Sequence, residues 1–271
     1  MKNYKIVTLG CKVNQYETAA VEELLAKEGY EKTEKAADVC IINTCTVTHT
    51  SDRKSRQWIA RFRRENPDAV VVVMGCYAQV AQEELQARND VDLIIGTKDK
   101  DLLPQLLKER EETGRRSLVR DFSSDTDYTE MEISQAHERT RATLKVQDGC
   151  NQFCSYCIIP FARGPVRSRS YGAVKEELQR LAAAGFKEVV LTGIHLASYA
   201  DKAHRLTDII ALAQQTEGIE RIRLSSLEPK IVTESFVTCL LASPKLCDHF
   251  HLSLQSGSDT VLARMERKYT T

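Results

Sequence analysis

The sequence predicts an α/β protein: an N-terminal doubly wound parallel-sheet domain followed by an incomplete β/α partial barrel. Three observations carry this reading. Apolar runs of strand length recur, among them "AVVVVMG" (Ala69–Gly75) and "VDLIIG" (Val91–Gly96), and unbroken runs of this kind belong to parallel strands buried on both faces. The segments between them carry helical periodicity. The alternation lapses between about Thr113 and Arg141 and then resumes. The expected division is therefore 1–112, a linker over 113–141, and a second α/β domain over 142–271.

Each element follows from its residues. Ile6–Leu9 is a short apolar strand, and Val21, Leu24 and Leu25 share one face of the helix that Gly29 stops. Asp38–Asn43 is the next strand, followed by a basic helix from about Ser51 to Arg64. "DFSSDTDYTEMEIS" is polar and acidic, a linker or an edge-strand crossover. From Ala142 a strand runs to Gly149. The helix after it places Val174, Leu178, Leu181 and Ala182 on one face and ends at Gly185. "EVVLTG", "RIRLSS" and "FHLSLQ" are the further strands, with helices around Leu206–Gln215 and Thr233–Leu241 between them. Four such β/α units make part of a barrel or an open sheet.

The chain has 271 residues, 42% hydrophobic and 28% charged, with Lys plus Arg equal to Asp plus Glu at 38 each. That balance suits a soluble globular protein with a core, and it leaves any nucleic-acid binding to local patches. The start, MKNYKIVTLGCK, reads as a strand rather than a secretory leader, and no apolar run is long enough to span a membrane. A cytoplasmic location is expected. In a reducing compartment nine cysteines point to metal or catalysis for some of them.

Strand ends of such a fold face the crevice where ligands bind. Cys11 follows the first strand, Cys45 the second and Cys76 the third, at gaps of 34 and 31 residues, about one β/α unit each. All three thiols should therefore emerge at one edge of the sheet; the plainer alternative is three buried free cysteines. Cys40, Cys239 and Cys247 read as small buried hydrophobes. In "DGCNQFCSYCIIPFARG", Cys150, Cys154 and Cys157 can face one centre. Zinc in a structural site takes a fourth ligand, and neither His137 nor His195 has the spacing. An iron–sulfur cube held by three cysteines keeps one iron open for a small chelating cofactor.

CxxxCxxC with Tyr156 before its last cysteine resembles the radical S-adenosylmethionine (SAM) enzymes. That resemblance implies a radical SAM core, cleavage of SAM at the open iron, and Tyr156 near the adenine. "TLGCKVNQYET", "NTCTVT", "MGCYAQ", "GCNQFCSYCIIPFARGPVRSR" and "HLSLQSGSD" together resemble the methylthiotransferase family across nearly the whole chain. The resemblance implies two [4Fe-4S] clusters, one on Cys11, Cys45 and Cys76 and a catalytic one on Cys150, Cys154 and Cys157. "LGCKVNQYET" and "TGIHLASY" are most similar to the branch that adds a methylthio group to C2 of N6-threonylcarbamoyladenosine beside the tRNA anticodon. Relatives act on isopentenyladenosine in tRNA or on a ribosomal-protein aspartate. Gly193, His195 and Gln255 are the SAM-contact candidates, with Ser225 and Glu228 behind them. Arg163, Arg167 and Arg169 are candidates for the substrate carboxylate or phosphates, the alternative being solvated loop arginines. Implied partners are tRNA and an electron donor such as flavodoxin or ferredoxin; the sulfur donor stays open.

The basic helix, with Arg53, Lys54, Arg56, Arg61, Arg63 and Arg64 around Trp58 and Phe62, either follows RNA phosphate or is a solvated face anchored by its aromatics. The family normally continues into further barrel strands and a C-terminal RNA-binding TRAM domain, so the resemblance implies that this chain is truncated. Two readings of other classes remain: a metal-stabilised RNA-binding module without radical chemistry, and a redox-sensing cluster protein.

Overall fold

The computed structural model describes residues 2–114, 117–122, 127–133 and 140–271. They form two compact units: residues within Met1–Asp125, Thr129–Met131 and Phe161–Arg163, and residues within Thr126–Tyr128, Glu132–Pro160 and Gly164–Thr271.

The first unit holds strands β1 (Asn3–Thr8), β2 (Glu31–Lys32), β3 (Val39–Thr44), β4 (Val70–Gly75), β5 (Leu93–Ile95) and β6 (Ser117–Leu118). They make one parallel sheet in the order β2-β1-β3-β4-β5-β6. The chain order reverses across β1 and β3, the switch point at which such sheets bind ligands. Helices α1 (Lys12–Lys27), α2 (His49–Glu65), α3 (Cys76–Val80), α4 (Gln82–Gln86) and α5 (Leu103–Thr113) connect the strands. Side chains alternate across a strand, so each strand feeds two cores. Cys40, Ile42, Val71 and Val73 meet Ile59 and Phe62 of α2, with Tyr77, Ala78 and Leu85. Ile41, Val72 and Met74 are buried on the other face, the side of α1 and α5, which pack together. Each buried Val, Ile or Leu contributes about 1.5–3 kcal/mol. The doubly wound prediction is observed.

Within the stretch expected to be a linker, Ser117–Leu118 supplies the sixth strand, and Met131 and Ile133 are buried. Residues 115–116, 123–126 and 134–139, His137 among them, lie outside the described residues.

The second unit is built on β7 (Arg141–Lys145), β10 (Glu188–Thr192) and β13 (Arg221–Leu224), parallel in the order β13-β10-β7. Between β7 and β10 in the chain lie β8 (Gln147–Asp148), α6 (Ile159–Arg163), of which Phe161–Arg163 belong to the first unit, β9 (Arg167–Ser168) and α7 (Tyr171–Ala183). The hairpin β11 (Ala200–Asp201) and β12 (His204–Arg205) precedes α8 (Leu206–Gln215), and α9 (Glu234–Leu241) and α10 (Asp259–Arg264) complete the unit. Val174, Leu178 and Leu181 pack with Leu144, Val189, Leu191, Ile209 and Ile222 in one core, on the helical face expected from the sequence.

Two expectations need correction. The strand from Ala142 to Gly149 breaks at Val146, and Gln147–Asp148 pairs antiparallel with Arg167–Ser168 instead of extending the parallel sheet. "FHLSLQ" forms no ladder; it makes one isolated bridge, Leu252 to Leu227, beyond the end of β13. Phe250, Leu252 and Leu254 all stay exposed, so burial does not draw the segment into extended pairing, and Gln255 at φ +64° ends any extended run. No helix among the described residues is long and apolar enough to cross a membrane.

Candidate functional site

The first cysteine set is placed by strand register. Thr8 pairs with Asn43, Asn43 with Met74, and Thr44 with Gly75, so β1, β3 and β4 finish level. Cys45 and Cys76 directly follow β3 and β4, and Cys11 caps α1 three residues after β1. The thiols therefore leave one sheet edge on adjacent strands. At Gly10, φ is +98°, and an added Cβ would lie 2.6 Å from Cys45 Cβ and 2.9 Å from its Sγ. Only glycine lets the Cys11 turn approach Cys45 this closely. Asn14 Nδ2 donates to the Leu9 and Thr44 carbonyls at 2.7 and 2.9 Å, tying the two strand ends together.

Cys76 meets a buried polar network. Arg163 Nε donates to Cys76 Sγ at 3.2 Å, and its other nitrogens donate to Glu17 and Asn14. Lys100 Nζ bonds to Glu17 and to Asn43 Oδ1. Burial pushes the Cys76 thiol up, and Arg163 and Lys100 oppose that rise. Cys40, inside β3, is pushed up by burial to about 11 and is inert packing.

The second set lies in the loop between β8 and α6. Gly149, at φ +73°, opens the loop, and a Cβ there would stand 1.9 Å from the Pro165 carbonyl oxygen. Cys150 N donates to Gly164 O at 3.0 Å and Cys157 N to Cys154 O at 2.9 Å, folding the loop back on itself. Burial raises the Cys150 and Cys157 thiols, while backbone N–H groups of Gln152 and Ile159 bond to the two sulfurs and oppose it. Arg267 Nη1 donates to Cys154 Sγ at 3.3 Å. Tyr156 is exposed.

Around this loop, Gln147 is fully buried and gives its Nε2 to the Asp148 and Gly149 carbonyls, while its Oε1 accepts from His195 N at 2.7 Å. An added Cβ on Gly193 would meet Gln147 Oε1 at 2.7 Å. Glu228 accepts from His195 Nε2 at 3.0 Å and pairs with Arg267 at 3.2 Å. The His195 hydrogen bond outweighs burial and holds the Glu228 carboxyl below its usual range. Ser225 is buried with its Oγ unpartnered among the described residues. Gln255 is exposed, at the end of the loosely held segment.

Arg163, Arg167 and Arg169 are 0%, 4% and 0% exposed. They face Glu17, Asp148 and Glu177 respectively, so these guanidiniums are turned inward onto carboxylates and are not solvated loop arginines. In α2, the tilted rings of Trp58 and Phe62 pack at 5.4 Å with Phe62 buried, Arg61 lies over Trp58 and pairs with Glu65, and Arg63 pairs with Asp92. The aromatics anchor the helix. Sequence reading missed Glu17, Asn14, Gln147 and Arg267. Polar residues beside each cysteine, "CKVNQYE" and "VQDGC", were the available clue to the first three.

No group of three His, Cys, Asp or Glu side chains among the described residues is arranged around a single metal ion. A four-iron cube binds each cysteine at its own corner, so its ligands stand apart rather than around one point. The donor chemistry fits such a cube: two sets of three soft thiols, each with an N–H donor on a sulfur, and in the first set a close approach that only Gly10 permits.

Residues 3–96 match the family described as "Uncharacterized protein family UPF0004", and residues 144–271 match the "Radical SAM superfamily". The chain is 46% identical over 269 residues to "Threonylcarbamoyladenosine tRNA methylthiotransferase MtaB" of Bacillus subtilis (strain 168), covering 97% of this chain and 60% of that protein. It is 42% identical to the protein of the same name from Aquifex aeolicus (strain VF5), covering 97% and 65%. A "tRNA-2-methylthio-N(6)-dimethylallyladenosine synthase" of Pelotomaculum thermopropionicum is 36% identical, with 100% and 63% covered. The chain thus spans between 60% and 65% of the length of these relatives. Among solved structures, the radical SAM methyltransferase TsrM from Kitasatospora setae superposes with a TM-score of 0.67 at 15% identity, over 100% of this chain and 63% of that one, a likeness of fold. With its two domain matches in this order, the chain is similar along nearly its whole length to radical SAM tRNA methylthiotransferases.

Proposed function

We propose that this protein attaches a methylthio group to C2 of N6-threonylcarbamoyladenosine beside the anticodon of tRNA, in the cytoplasm, using SAM and two [4Fe-4S] clusters. The observation that supports it is the presence of two separate cysteine triads, each at the strand ends of its own α/β unit. When bound, the cluster on Cys150, Cys154 and Cys157 supplies the electron that cleaves SAM, and the cluster on Cys11, Cys45 and Cys76 carries the sulfur. The chain's own residues bind and orient. Tyr156 offers an exposed ring for the adenine. Gly193 and His195 sit where Gln147 and Glu228 fix their backbone and ring. Gln255 and Ser225 supply further polar contacts. Arg163, Arg167 and Arg169 brace the two cysteine regions through their carboxylate partners. The choice of modified base rests on the names of relatives, with the threonylcarbamoyl relatives at 36–46% identity and the dimethylallyl ones at 33–36%.

Anaerobic reconstitution followed by an iron and acid-labile sulfide count tests the cluster content. The expected result is about eight irons per chain, falling to about four when Cys11, Cys45 and Cys76 are all changed to Ala. About four in the unaltered chain, or zinc in place of iron, would overturn the reading. Nucleoside analysis of tRNA treated with enzyme, SAM, sulfide and a flavodoxin or ferredoxin reductant then separates the threonylcarbamoyl product from the dimethylallyl one.

A further inference from the structure

Arg163 is the largest fully buried side chain of the first unit's polar network. Nη1 donates to Glu17 Oε1 at 2.5 Å, and Nη2 donates to Asn14 Oδ1 at 2.5 Å and to Glu17 Oε2 at 3.2 Å. Those contacts fix the plane of the guanidinium from one helix, α1. The remaining edge, Nε–H, is then aimed at Cys76 Sγ at 3.2 Å. The backbone is held as well, because Thr97 Oγ1 donates to the Ala162 carbonyl at 3.0 Å.

An ion pair alone does not account for this arrangement. Glu17 already has a second fully buried cation in Lys100, and burying a further charge carries a desolvation cost that one shared carboxylate does not fully offset. What a fork-shaped guanidinium adds, and a lysine ammonium does not, is a rigid set of donors in which two edges hold carboxylate and amide while the third reaches a sulfur. Hydrogen bonds to ligand sulfurs are among the levers that set an iron–sulfur cluster's potential, since they favour the more negative, reduced state.

We infer that Arg163 is a positioning residue for the N-terminal cluster: its Nε–H bond presets the Cys76 sulfur as a ligand and raises the reduction potential of the cluster held there. This rests on the reading of Cys11, Cys45 and Cys76 as cluster ligands.

The test uses the whole chain carrying Cys150→Ala, Cys154→Ala and Cys157→Ala, so that any remaining cluster is the N-terminal one. Arg163→Lys and Arg163→Met are added separately. Iron is counted, folding is checked by circular dichroism, and the midpoint potential is read by redox titration followed with electron paramagnetic resonance. The parent should hold about four irons. Both variants should shift the midpoint to more negative potential; loss of iron from a folded Arg163→Lys chain would equally support the positioning of Cys76. An unchanged midpoint in a folded, iron-loaded Arg163→Lys chain overturns the inference, and this variant decides even if Arg163→Met does not fold. A parent chain without iron overturns the ligand assignment itself, an outcome distinct from an unmoved potential.

Discussion

At Gly10 a single hydrogen in place of a methyl group decides whether two cysteine loops can meet. An alanine there would put its Cβ 2.6 Å from Cys45 Cβ while holding a backbone at φ +98° that side chains disfavour. Gly10→Ala is therefore expected to reduce the reconstituted chain from about eight irons to about four and to leave the Cys150, Cys154, Cys157 set loaded. Retention of all the iron would show that the close approach is dispensable. Neighbouring Asn14 and Glu17 act by the same short-range logic, since each replaces lost hydration of a buried partner with a direct bond.

At the scale of elements, α2 and the small parallel sheet show how local chemistry fixes placement. Thr48 caps α2 with its side chain accepting from Ser51 N at 3.1 Å. Thr48→Ala is expected to cost about 1 kcal/mol, read as a lower midpoint in urea unfolding. In the sheet, Glu188 of β10 stands in register with Arg141 of β7 and Arg221 of β13, and it pairs with Arg141, Arg221 and Arg223. Burial works against its ionisation, yet the arginines prevail and hold the carboxyl below the usual range. A depressed folded value means that this stability is fully present above the unfolded pKa of about 4.3 and is lost as pH falls through the folded value. Glu188→Gln should therefore cost about 1–2 kcal/mol at neutral pH, discounted because its partners are partly solvated. The gap between variant and unaltered chain should close on acidification below pH ~4. Equal melting temperatures at pH 7 would refute the clamp.

For the whole molecule, each unit has its own buried core and its own cysteine triad, so the two proposed ligand sets are expected to load independently. Cys154→Ala is expected to abolish SAM cleavage while about four irons remain. Loss of all iron in that variant would contradict the division of ligands.

Much of this was legible in the sequence because it is local. Strand and helix periodicity, and cysteines placed just after apolar runs, depend on neighbours a few residues apart, and they located the doubly wound sheet and the edge from which Cys11, Cys45 and Cys76 emerge. Tertiary structure alone decided the partners. Arg163 meets Glu17 across 146 positions, Arg267 meets Cys154 across 113, and His195 meets Glu228 across 33. It also decided that "FHLSLQ" stays outside the ladder despite a strand-like pattern. Periodicity reports which face of an element seeks burial, whereas the identity of the group waiting there, and whether any layer covers that face, is settled only when distant segments pack.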